Sequence, residues 1–187
     1  MRDLFTLPEG LPVPQDDGAC DHLTGMDIPG LRLPSTTGAS IDLRAASATT
    51  AVFFFYPRTG TPGSPPPPEW DRIPGARGCT PQSCGFRDAY AGFRERGAAL
   101  FGVSAQTPDY QKEFVDRTHM PFPFLSDADF ALTEALRLPT FVFNSMRLIK
   151  CLAVVARRSR IVKVFYPVFP PDRNAADVLA WLEKNPA

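Results

Sequence analysis

The sequence predicts an α/β fold in which a central mixed β-sheet is flanked by helices, and three patterns carry that expectation. Residues 50–56 form a continuous apolar run, as in a strand buried on both faces. A helix-like stretch from about 81 to 96 leads into a second strand-like segment at 99–104. Two further strands at about 147–155 and 160–166, linked through Arg157-Arg158-Ser159, precede a terminal helix at about 174–184. That last helix places Ala176, Val178, Leu179 and Leu182 on one apolar stripe.

The remaining elements fall between these anchors. An irregular, proline-rich extension is expected over residues 1–27, followed by a single domain over 28–187. Segments 28–33 and 40–43 suggest a short hairpin around Thr37-Gly38. Thr80 and Pro81 have the chemistry of an N-cap and a first-turn proline, so the helix from about 81 should open there and end at Gly97, a C-cap glycine. Helices at about 108–118 and, after Asp127, at about 128–136 complete the alternation. Strand–helix–strand followed by a hairpin and a helix fits a thioredoxin-like fold.

Composition narrows the function classes. The 187 residues include 20 Lys+Arg and 20 Asp+Glu, leaving no electrostatic footprint for nucleic acid or an acidic membrane. The start, from Met1 to Pro8, offers no apolar stretch suited to secretion, and nothing in the chain is long enough to span a membrane, so a cytoplasmic location is expected. The 4 cysteines then suggest redox-active, buried or metal-bound thiols rather than a secreted disulfide framework. Zinc is disfavoured by the lone C-x4-C pair and the wide separation of His22 and His119, which suit hydrogen-bonding loop positions. No cofactor is expected.

The C-x4-C pair, Cys79 and Cys84, is the strongest chemical signal. A thiol at a helix N-terminus is driven towards the thiolate by the helix dipole and the free backbone N–H groups. Cys84 lies five residues on, within the helix, at an ideal Cα separation of about 8.6 Å. A disulfide requires less than about 7 Å. The pair can therefore join only if the first turns unwind, as a cycling pair would.

The surrounding residues resemble the Q-type peroxiredoxins, the bacterioferritin comigratory protein group. The resemblance rests on the strand 51–56, Tyr56-Pro57, Thr61-Pro62-Gly63, Gly78-Cys79-Thr80, Cys84 and Phe86-Arg87-Asp88, then Leu100–Ser104 and Pro121–Asp127, in that order. It spans roughly residues 28 to 183 and implies a thioredoxin-like fold. Relative to the group's pattern, residues at about 64–78 are a proline-rich insertion. Its four successive prolines favour an extended segment. The plainer expectation is a surface excursion; the sharper one is a lid, with Trp70 and Ile73 packed near the site.

The resemblance also implies roles. Cys79 would be the peroxidatic nucleophile, forming a sulfenic acid on attack at a hydroperoxide, and Cys84 the resolving thiol that closes an intramolecular disulfide. A thioredoxin-like dithiol would recycle the pair, and a monomer is implied. Pro57 matches the proline that shields the thiolate. Ala76 stands where the group has its threonine, so Thr61 becomes the candidate, against the alternative of a plain turn residue. Counting back from Ile161 puts Lys150 in the group's arginine slot, with Arg147 the choice if the strand register differs. Arg87 is expected to be structural, Cys151 a small core residue and Cys20 at most a secondary resolving thiol. A disulfide oxidoreductase, against which the C-x4-C spacing counts, and a non-catalytic redox sensor are the competing readings.

Overall fold

The computed structural model describes residues 6–61, 63–64 and 66–186. The first five residues, Pro62 and Pro65 of the motifs above, and Ala187 lie outside them.

A short hairpin of β1 (Arg32–Pro34) and β2 (Ser40–Asp42) leads through α1 (Leu43–Ala46) into β3 (Thr50–Phe55). There follow α2 (Cys79–Asp88), α3 (Tyr90–Glu95), β4 (Ala98–Ser104) and α4 (Pro108–Thr118). Next come β5 (Phe124–Ser126), α5 (Ala131–Leu136), β6 (Thr140–Phe143) and β7 (Met146–Ile149). The chain closes with β8 (Leu152–Arg157), β9 (Arg160–Phe165) and α6 (Asn174–Lys184). The principal sheet has the order β5-β4-β3-β8-β9, parallel on one side of β3 and antiparallel on the other. The expected mixed sheet is therefore present, with β3 at its centre.

Period-2 alternation along β3 divides the interior in two. Val52, Phe54 and Tyr56 face a core completed by Phe86 of α2, Phe93 of α3, Phe114 of α4 and Val178 of α6. Ala51, Phe53 and Phe55 face a second core with Leu43 of α1 and Leu132 and Leu136 of α5. The irregular N-terminal segment belongs to this second core, into which it buries Cys20 and Leu23. Such double-sided burial is why β3 has no polar alternation to read in the sequence.

Three sequence expectations are corrected. The helix expected from 81 to 96 is two helices, broken at Ala89 (φ −90°, ψ 1°). It also starts earlier, at Cys79, with Gly78 rather than Thr80 at the N-cap. Pro81 falls in the first turn, where its missing N–H has no intrahelical acceptor to lose. The strand expected over 147–155 is split at Lys150-Cys151 between two sheets, because β7 pairs with β6 and β8 with β3. Asp127 holds back the start of α5 by accepting from Leu132 N (2.8 Å), Thr133 N (2.8 Å) and Thr133 Oγ1 (2.6 Å).

The proline-rich segment is exposed at Ser64 and over 67–69 but turns inward at Trp70. Pro67 is extended, but Pro68 opens a 3₁₀ turn, Pro68–Arg72, that buries Trp70. Its ring lies 5.1 Å from that of Phe143 and 6.0 Å from that of Phe141, both on β6. The β6–β7 hairpin thus pins the segment.

Close packing at Gly102 gives a direct test of the main core. A Cβ there would stand 2.5 Å from Cε1 of Phe124, whose ring is held by Phe54, Tyr56, Phe114 and Phe122. With no free direction for the ring to move, Gly102→Val should cost about 1–3 kcal/mol. Equilibrium urea unfolding checks this: the midpoint should fall with an unchanged m value.

Candidate active site

Cys79 occupies the first position of α2, and the chain is forced into place around it. Gly78 adopts φ 108°, in the left-handed region, and a Cβ there would lie 2.3 Å from Cγ of Pro171 and 2.8 Å from Cδ2 of Leu7. Only glycine lets the 3₁₀ turn Pro171–Arg173 approach this closely. Gln82 N then donates to Gly78 O at 2.9 Å, closing the first turn and leaving the N–H groups before it directed outward. On the inner side, Phe86 of α2 stacks on Phe54 of β3, with centroids 4.2 Å apart and planes 11° apart.

The Cys79 thiol is 3% exposed and donates to Ala76 O at 3.6 Å. Burial is the largest influence on its ionisation and opposes the thiolate. Hydrogen bonds from Cys151, from the Arg58 backbone N–H and from its own N–H, with the Arg58 charge, outweigh burial and hold the thiol below the ordinary cysteine range. Cys151 moves well upward, first through its hydrogen bond to Cys79 and then through burial. The helix N-terminus and Arg58 both act on Cys79, so of the two thiols Cys79 is the one that ionises more readily. Cys84 is raised by burial, partly offset by the Arg87 charge, and Cys20 is pushed up to about 12 by burial. All four cysteines are free thiols.

A cavity of about 150 Å³ opens at Cys79 and is lined by Arg58, Thr61, Trp70, Arg77 and Phe143, among others. Arg77 is buried and lies 3.6 Å from Asp71, giving the cavity a second cationic wall. Tyr110 Oη donates to Thr59 O at 3.0 Å, so its oxygen accepts from Thr61 Oγ1 at 2.8 Å. That pair fixes the Thr61 hydroxyl at the cavity rim with its lone pairs available. The segment expected to be a surface excursion therefore supplies Trp70 to this wall.

The sequence-selected residues do not all converge. Cys79 and Thr61 line the cavity, and Pro57 is buried immediately before Arg58. Cys84 sits deeper in α2, within the same core. Arg147 and Lys150 are elsewhere. Arg147 pairs with Glu134, donates to Thr140 Oγ1 at 3.3 Å and covers the ring of Phe130. Lys150 Nζ donates to Asp17 Oδ2 at 2.8 Å and to Tyr166 Oη at 3.2 Å. Among the described residues lining the Cys79 cavity, the arginines are Arg58 and Arg77. Arg87 is structural as expected, donating to Asp88 and to Thr118 O. His22 reaches Leu136 O at 2.9 Å and His119 caps α4, which are loop roles. Among the described residues, no cluster of His, Cys, Asp and Glu could hold a metal.

Sequence reasoning missed Arg58 and the true position of Cys151. Arg58 directly follows the Tyr56-Pro57 pair that marks the loop after β3. The β3–β8 register pairs Phe55 with Leu152, so one further step sets Cys151 beside Tyr56, beneath the loop that carries Arg58. Only the strand break before β8 reveals that placement.

The redoxin family profile matches residues 23–179. Peroxiredoxin bcp1 of Schizosaccharomyces pombe is 34% identical over 137 residues, covering 70% of this chain and 63% of that protein. The chloroplastic peroxiredoxin Q of Gentiana triflora is 24% identical over 188 residues, covering 98% of this chain and 79% of that one. The crystal structure of peroxidoxin BcpB from Mycobacterium tuberculosis superimposes with a TM-score of 0.70 at 25% identity, over 88% of this chain and 98% of that one. A buried thiol at a helix start, within this fold and among these relatives, places the chain in the redoxin family as a thiol peroxidase of the peroxiredoxin Q type.

Proposed function

We propose that Cys79 is the peroxidatic residue and that the cavity beside it admits a hydroperoxide. The observation that carries this reading is a buried thiol, held towards the thiolate at the start of α2, facing a cavity with Arg58 and Arg77 in its walls. Its sulfur attacks one peroxide oxygen and the O–O bond breaks. The sulfur becomes a sulfenic acid, and the other oxygen leaves with a proton as water or an alcohol. In the attack, negative charge moves from sulfur to the departing oxygen. The two guanidinium groups are at hand to stabilise it, while Thr61, whose proton goes to Tyr110 Oη, presents an acceptor that can orient the protonated end of the hydroperoxide. Arg58 therefore takes the role that sequence counting gave to Arg147 or Lys150. Burial of Pro57, which has no N–H, keeps the loop dry on that side.

Cys84 then serves as the resolving thiol. It is a free thiol that burial raises above the ordinary cysteine range, so it gives up its proton as it attacks the sulfenic sulfur. Closing the Cys79–Cys84 disulfide requires the first turns of α2 to open. A thioredoxin-like dithiol would return both thiols by exchange. Four cysteines in a chain of this size, with one C-x4-C pair, suit a reducing compartment such as the cytoplasm, and the reading requires only a monomer. No helix among the described residues is long and apolar enough to cross a membrane.

Stopped-flow tryptophan fluorescence with hydrogen peroxide tests the assignments, since Trp70 lines the cavity. Cys79→Ser should abolish the fast peroxide-dependent phase. Arg58→Gln should slow that phase by roughly 10²-fold, the usual scale for losing one preorganised charge-stabilising group. Lys150→Met should leave it nearly unchanged, because its partners Asp17 and Tyr166 lie outside the cavity. Equal losses from Arg58→Gln and Lys150→Met would return the arginine role to the β7–β8 junction.

A further inference from the structure

One side of α2 is strapped to the segment that leads into α6. Gly78, Gln82 and Gly85 lie four and three residues apart, which places them on that side. The two glycines allow a close approach to Pro171 and Asp172. A Cβ would stand 2.3 Å from Pro171 Cγ at Gly78 and 3.0 Å from Asp172 O at Gly85. Between them Gln82 is fully buried, and both ends of its amide are bonded. Nε2 donates at 3.1 Å to Oδ1 of Asn174, itself buried, and Oε1 accepts from the Cys151 thiol at 3.7 Å. Gln82 thus ties the stretch between the two motif cysteines to the first residue of α6 and to the residue before β8. Joining Cys79 to Cys84 unwinds that stretch and breaks these bonds.

We propose that the Gln82–Asn174 bond sets how readily α2 opens for Cys84 to reach Cys79, and so how much of Cys79 is over-oxidised. The inference rests on the reading of Cys79 as peroxidatic and Cys84 as resolving. Once Cys79 is a sulfenic acid, two reactions compete for it. In one, the Cys84 sulfur attacks the Cys79 sulfur. The S–O bond breaks, the S–S bond forms, and the hydroxyl leaves as water with the Cys84 proton. In the other, the sulfenic sulfur attacks a second hydroperoxide, takes one oxygen to become a sulfinic acid, and releases water or an alcohol. The first reaction needs α2 open and the second does not. A buried amide N–H that loses its acceptor is unsatisfied while α2 stays folded, but water solvates it once α2 opens. Removing Asn174 Oδ1 therefore shifts α2 towards the open form and favours the disulfide. Gln82 and Asn174 are positioning residues, since neither lines the Cys79 cavity.

The test compares Asn174→Leu and the Gln82→Met/Asn174→Leu double variant with the unaltered protein, in stopped-flow fluorescence with hydrogen peroxide. In Asn174→Leu the second, Cys84-dependent phase should be about tenfold faster, with a smaller change in the first phase. Peptide mass spectrometry should show that about tenfold more peroxide is needed to convert the same share of Cys79 to the sulfinic acid. The double variant removes donor and acceptor together, so its second phase should return close to the unaltered rate. A merely weakened α6 would not be rescued by a change on α2. A second phase no faster in Asn174→Leu, or equally fast in the double variant, would overturn the inference and leave the roles of Cys79 and Cys84 standing. A second phase that survives Cys84→Ser would overturn the resolving role and the inference with it. A first phase that survives Cys79→Ser would overturn the peroxidatic reading as well. Should Asn174→Leu fail to fold, Gln82→Asn, whose amide falls one methylene short of Asn174, must show the same acceleration, and its absence refutes the inference.

Discussion

The structure near the site depends on easing the ionisation of a buried sulfur. Burial alone drives a cysteine towards the neutral thiol, and at Cys79 it is the largest single influence on ionisation. It is overcome by several smaller ones acting together: the N-terminus of α2, the Arg58 backbone N–H, the Arg58 charge and the Cys151 thiol. None of these would suffice if it were misplaced. Much of the fold near the site accordingly fixes where α2 begins and where the loop after β3 runs.

Three packing relations do that positioning. The stack of Phe86 on Phe54 sets the height of α2 over the sheet. The contact of Gly78 with Pro171 fixes the helix start from outside, and the bond from Gln82 to Asn174 fixes the rotation of the first turn against α6. Burial of Trp70 against Phe141 and Phe143 closes the cavity from above. The same β6–β7 hairpin thus supports the proline-rich segment and leads, through Lys150-Cys151, into the strand beneath the site. A change in that hairpin would reach the thiolate by two routes.

Much of this was legible beforehand. The apolar run of β3, the amphipathic α4 and α6, and the C-x4-C pair with its flanking residues pointed to the fold and to a reactive thiol at a helix start. Local signals failed where tertiary contacts decide the outcome. Thr80 and Pro81 satisfy the chemistry of a helix start, yet Gly78 takes the cap because Pro171 leaves room for no side chain there. Residues 147–155 are apolar enough for one strand, but pairing with β6 on one side and β3 on the other splits them. Counting along that supposed strand was what put Arg147 and Lys150 near the thiol. Their ion pairs with Glu134 and Asp17 hold them elsewhere, and Arg58, adjacent in sequence to the recognised Pro57, provides the nearby charge. The core that Cys79 shares with Cys151 joins residues far apart in the chain, and no local pattern encodes it.

The central requirement is that Cys79 ionises more readily than an ordinary cysteine despite its burial. Titration of thiolate absorbance at 240 nm measures this directly in the reduced protein, with Cys79→Ser as the reference. One thiol should titrate below the ordinary cysteine value of about 8.5 and be absent from the variant, while the other three titrate above it. A lowest inflection at or above that value, unchanged by Cys79→Ser, would contradict it.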